Sequence, residues 1–254
     1  TNHSAGGRGL WLCPAEPFEE RDANHAIAWQ LNSSDVFVNQ DLPAGPTNFQ
    51  NRSTTLSNYI FDAADSVVVP TGKFLNAFNE TGTGNFVLEA GAFLRSPDDN
   101  VAYLGGTAKW TVTVNGHIAT DLALGPALIV AGASGSKVTI GEEGSISNKG
   151  DAYGALSAES DSAITNKGSI RSDAGNGVGL LGDNTSSLVN NGVIIGPNLA
   201  VYVEDAANFS LTNSGQIFGG ILLSNGNSKF SNSGQITANA DFGVAIANVV
   251  FGVG

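Results

Sequence analysis

The chain has 254 residues and a formal net charge of -12, with only 11 Lys and Arg. It lacks the cationic face that a phosphate backbone requires, so nucleic acid is not an expected partner. Hydrophobic residues make up 41% and charged residues 13%, enough apolar content for a core but about half the charge usual for a soluble domain. A single cysteine, Cys13, rules out an intrachain disulfide.

Residues 1–55 carry no repeat and are expected to form an N-terminal cap or subunit-linking arm. Residues 14–22 are acidic and contain proline. Before them, Leu10, Trp11, Leu12 and Cys13 form a short apolar segment, in which the thiol reads as a small buried hydrophobe. After them, Ile27, Trp29 and Leu31 alternate like a half-buried strand, and Val36, Phe37 and Val38 mark a second. An open solenoid edge needs such a cover, or a neighbouring molecule in its place.

Residues 56–254 are dominated by an internal repeat. Gly116, Gly144, Gly168, Gly192, Gly215 and Gly234 are spaced 28, 24, 24, 23 and 19 residues apart. Two positions after each stands isoleucine: Ile118, Ile146, Ile170, Ile194, Ile217 and Ile236. Four positions before stands an apolar residue: Val112, Ile140, Ile164, Leu188, Leu211 and Phe230. The last four repeats add Asn166, Asn190, Asn213 and Asn232 two positions before the glycine. Upstream, Gly91 with Val87 and Phe93, and Asp65 with Phe61 and Val67, continue the pattern. A second apolar run follows in each unit, as in Val178 to Leu181, Val201 to Val203, Ile221 to Leu223 and Val244 to Ile246.

A period of this length holds two or three short strands and their turns, with alternate residues facing inward. One coil cannot bury that face, but stacked coils place like on like along an axis. The expected fold is all-β: a right-handed parallel β-helix (β-solenoid) of about eight coils. Glycine at the anchor is expected to supply a left-handed corner. Asparagine is expected to bond local backbone and its neighbours above and below.

The word apolar-x-Asn-x-Gly-x-Ile appears here as ITNKGSI, LVNNGVI, LTNSGQI and FSNSGQI. It resembles the passenger regions of bacterial autotransporters and related haemagglutinin-like adhesins, over about residues 86–254. The resemblance implies secretion across a bacterial outer membrane, hence an extracellular or cell-surface location. No translocator barrel follows the repeat and methionine is absent. The chain therefore reads as a cleaved passenger, a fragment, or a protein exported by another route.

Residues 242–254 are apolar on both alternating faces, Asn248 being the one polar side chain. Thirteen residues are too few to span a bilayer as a helix. An uncapped apolar end templates pairing, so Phe242, Val244, Ile246, Val249, Val250, Phe251 and Val253 are candidates for an assembly interface. Trp11, Ile27, Trp29 and Leu31 are candidates for its complement. Contact between unlike ends generates an open filament when the rotation does not close. The expected function is therefore that of an extracellular structural subunit, stacked end to end into a surface filament or matrix fibre. The alternative is a monomeric adhesin that binds a glycan or cell-surface ligand through side loops such as residues 95–107.

A polysaccharide-processing solenoid would need convergent carboxylates or a metal site. Asp98 and Asp99, like Glu142 and Glu143, are adjacent in sequence, and neighbours on a strand point to opposite faces. Arg8, Arg21, Arg52, Arg95 and Arg171 are scattered, as are His3, His25 and His117. Neither catalytic activity nor a cofactor or metal is expected. Thr111, Thr113 and Thr139 are not expected to extend into the flat threonine column of an ice-binding solenoid.

Overall fold

A computed structural model describes residues 56–63, 65–68, 75–77, 80–97, 100–121, 125–150, 154–159, 161–181, 185–204, 208–224, 227–238 and 246–249. All regular elements among them are β-strands, paired in parallel. The strand Thr107–Val114 shows how the sequence produces them. Ala108, Trp110, Val112 and Val114 are buried, while Thr107, Lys109 and Thr111 are exposed and Thr113 is half-buried. That period of two is the signature of a strand with one dry face.

Each coil contributes strands to three faces. The first face is an eight-stranded sheet. Its order is Leu56–Phe61, Thr81–Leu88, Thr107–Val114, Lys137–Ile140, Ala163–Asn166, Thr185–Asn190, Asn208–Asn213 and Asn227–Asn232. The second and third faces are joined in one 14-stranded sheet. The junction is the strand Val193–Glu204, which runs through the corner between them. Its first residues pair with Ser169–Ser172 and its last with Val178–Leu181. The result is a β-solenoid of about six turns between two partly described end coils. The expected count of about eight included both ends.

The predicted columns fall in register, and their members from Leu94 to Ile221 are buried. Val67, Leu94, Ile118, Ile146, Ile170, Ile194, Ile217 and Ile236 fall in one register on the second face. Val178, Val201, Ile221 and Ile246 do the same on the third. On the first face Phe86, Val112, Val138, Ile164, Leu188 and Leu211 stack, all buried. These columns converge on a single core.

Two features differ from the sequence alignment. Val138, not Ile140, stacks on Val112, and Ile140 occupies the column that later holds asparagine. The cause is a longer corner: Gly144 N–H donates to the Gly141 carbonyl at 3.0 Å across Glu142 and Glu143. Two extra residues preserve the in–out parity, so both Val138 and Ile140 remain buried. In the coil before Thr107–Val114, the register is one residue from the expected one. Leu94, not Phe93, aligns with Ile118, and Phe93 and Val87 face outward. Gly91 instead serves that coil's corner turn, at φ +87°.

The six anchor glycines from Gly116 to Gly234 are not left-handed; positive φ occurs at other glycines, Gly91 among them. Space is what requires them. A Cβ on Gly168, Gly192, Gly215 or Gly234 would stand 2.1 Å from the carbonyl oxygen of the glycine one coil earlier. The corner backbones stack too closely for any side chain.

Candidate assembly edge

The first face carries an amide ladder. Asn166 Nδ2 donates to Asn190 Oδ1 at 2.8 Å, Asn190 Nδ2 to Asn213 Oδ1 at 2.7 Å, and Asn213 Nδ2 to Asn232 Oδ1 at 2.7 Å. Asn166, Asn190 and Asn213 are buried. Each side-chain amine also reaches a carbonyl in the next coil, of Val193, Gln216 and Gln235 respectively. The sequence expectation for asparagine is met. At its lower end the ladder rests on the apolar column, since Asn166 pairs in register with Ile140, and Asn166 Oδ1 is buried with no hydrogen-bond partner.

At its upper end the ladder reaches the surface. Asn227–Asn232 is the terminal strand of the first sheet. Phe230 continues the column of Leu188 and Leu211, yet it is 38% exposed where Leu211 is 1%. Asn232 is also exposed, and its amine donates to the carbonyl of Gly234 within its own corner. A core column and an amide ladder therefore both emerge at one edge. A terminal strand also presents backbone groups that would otherwise pair.

The opposite edge keeps one large side chain buried and a second half-buried. Phe61 is 2% exposed and packs on Phe86, ring centroids 5.7 Å apart. Tyr59 lies 5.9 Å from the Trp110 ring, and its hydroxyl donates to the buried Glu80 carboxylate at 2.8 Å. Burial, and then the hydrogen bond to Glu80, push the Tyr59 phenol far above its ordinary value.

Of the sequence candidates for assembly, Ile246 and Val249 lie in the described strand Ile246–Val249. That strand pairs with Ile221–Ser224 of its own chain, Ile246 beside Ile221 and Val249 beside Ser224. Register thus places Ile246 in the molecule's own core column. Phe242, Val244, Val250, Phe251 and Val253 lie outside the described residues, as do Trp11, Cys13, Ile27, Trp29, Leu31, Asp98 and Asp99. Phe230 and Asn232 were read in sequence as repeat columns, and their exposure is invisible there.

The outer faces hold further groups. Glu142 and Glu143 are exposed in their corner turn. Arg95 and Lys149 both pair with Asp121, and Arg171 with Asp173. Lys149 first, then Arg95, hold the Asp121 carboxyl below its ordinary range. Burial raises Glu159, and burial followed by the nearby Glu159 charge raises Tyr103. A depression of about 330 Å³ lies beside Ile195, Pro197 and Phe218, where the pairing register shifts at a bulge. The segment 95–107 is not simply a side loop, because Ala102–Leu104 is a strand of the third face.

The three threonines named in the sequence do not share one column, since Thr111 stands beside Lys137. Thr113, Thr139 and Thr165 stack in one outward column of the first face, continued by Val189 and Thr212. Among the described residues no helix is long and apolar enough to cross a membrane. Comparison with family models, with characterised proteins and with solved structures finds no match to this chain.

Proposed function

We propose that this chain is an extracellular structural protein, without catalytic activity, whose solenoid stacks end to end into a surface filament or matrix fibre. The observation that carries it is the uncovered edge strand Asn227–Asn232, with Phe230 and Asn232 at the surface. The likeness of the repeat word to autotransporter and haemagglutinin-like passengers supports the location.

The edge offers three kinds of contact together: an apolar column, an amide ladder and the backbone of a strand that is terminal among the described residues. Burying the exposed part of Phe230 alone is worth on the order of 1 kcal/mol, too little to hold two molecules against association costs. A full coil cross-section, on the order of 500 Å² of apolar area, is worth roughly 10 kcal/mol before those costs. The contact therefore involves the whole edge, and its complement is assigned to residues 1–55 of the next subunit.

Sedimentation velocity over a wide concentration range tests this. Stacking predicts growing species for the intact protein and a monomer for Phe230→Asp, with unchanged circular dichroism. A monodisperse monomer for both would overturn it in favour of the monomeric adhesin.

A further inference from the structure

The described cations divide by face. Arg95, Lys149 and Arg171 each have an aspartate partner. Lys109, Lys137, Lys167 and Lys229 have none among the described residues, and all four are exposed. All four lie in first-face strands or, for Lys167, immediately after one. No first-face strand contains Asp or Glu. The described cations without an acidic partner thus lie together on one side of a chain of net charge -12.

Register arranges them around a trough. Lys137, Ala163, Ser187, Ser210 and Lys229 form one outward column. Its three middle residues are small, so the floor is low between two lysines. Four strand spacings separate those lysines, about 19 Å along the axis. The ridge Thr165, Val189, Thr212 borders one side, and Thr185 and Asn208 border the other. Among the described residues the one carboxylate at the rim is Asp161, which is engaged by Ser134 Oγ and the Thr185 N–H.

We infer that this trough binds a linear polysaccharide bearing carboxylates, laid along the solenoid axis between Lys137 and Lys229. Unpaired lysines on an acidic protein attract an anionic partner. Ser187 and Ser210 offer hydroxyls to a hydroxyl-rich chain, and the ridge offers methyl groups to its C–H faces. A peptide strand is a poor occupant, because the backbone groups of these central strands are already paired in the ladder. Nucleic acid is poorer still, because among the described residues no aromatic side chain borders the trough to stack a base. The trough lies on the side of the rod, but Lys229 shares the terminal strand with Phe230, so the oligomeric state of every variant is measured beside its binding.

The test is binding of the intact chain to polygalacturonate, with neutral dextran, poly-aspartate and duplex DNA as comparisons, by affinity electrophoresis and calorimetry. Polygalacturonate should be retained and the other three not. Lys137→Ala with Lys229→Ala should weaken binding by about tenfold or more. Ala163→Glu, which raises the floor and adds an anion, should also weaken it. Lys149→Ala, at a paired lysine elsewhere, should not. Circular dichroism melts confirm that each variant is folded. The assignment is overturned if dextran, poly-aspartate or DNA binds as well, or if the double lysine variant binds like wild type. Equal weakening by Lys149→Ala would reduce the effect to bulk charge and also overturn it. So would a change of oligomeric state in the lysine variants, which would make the face a contact between copies.

Discussion

Gly192 and Asn190 show how much rests on single positions in this fold. A Cβ on Gly192 would stand 2.1 Å from the Gly168 carbonyl oxygen, so the corner would have to separate from its neighbour. Gly192→Ala should cost about 1–3 kcal/mol by chemical denaturation, the usual range for overpacking. A loss below a few tenths would mean the corner yields freely. Asn190 accepts from Asn166 and donates to Asn213. In Asn190→Asp the donor is lost, and a carboxylate faces the Asn213 carbonyl in a dry interior. Its folded pKa must lie above the unfolded value, so the penalty is absent at pH below the unfolded pKa. It grows as pH rises through the folded one. The variant should be nearly as stable as wild type near pH 3 and lose on the order of 3 kcal/mol or more at pH 7. Equal losses at both pH values would contradict the buried ladder. The presence of both residues was legible in the repeat word. The reason for glycine was not, because sequence records that a side chain is excluded without recording whether φ or a neighbour excludes it.

Among elements, period-2 alternation made the strands legible, but the corners are where sequence alignment slipped. Counting backward from each glycine assumes corners of equal length, and the Gly141–Gly144 turn breaks that assumption by two residues. A one-residue offset at Phe93 moved that coil's expected inward residues to the surface. Corner variation also hid the short run Thr113, Thr139 and Thr165, which align only once the strands are paired. Coils are further joined by charge: Asp121 ties Arg95 of the preceding coil to Lys149 of the following one. Its depressed carboxyl contributes stability above the ordinary carboxylate pKa, and that contribution is lost as pH falls through the folded value. Glu159 has the opposite sign, raised by burial, so wild type loses stability as pH rises through its folded value. Melting temperature against pH should therefore show Asp121→Asn below wild type at pH 7 and converging with it in strong acid. Glu159→Gln should match wild type in acid and exceed it at pH 7. Parallel shifts at all pH values would remove the electrostatic account.

On the scale of the whole molecule, the two ends of the described solenoid differ. One carries Phe61 buried and Tyr59 half-buried, the other Phe230 and Asn232 exposed. The solenoid and its columns were legible because core positions repeat; the open edge was not, because Phe230 obeys the same pattern as buried Leu211. The candidates placed on apolar content alone, such as Trp29 and Phe251, fall outside the described residues. Ile246 stands in register with Ile221 of its own chain. Unlike ends that meet produce filaments rather than closed rings when the rotation does not close. Electron microscopy of the intact protein at high concentration is the most direct measurement. Stacking predicts thin unbranched filaments with an axial repeat of at least ~40 Å, eight strand spacings, absent from Phe230→Asp. Single rods with no end-to-end contact at any concentration would contradict it.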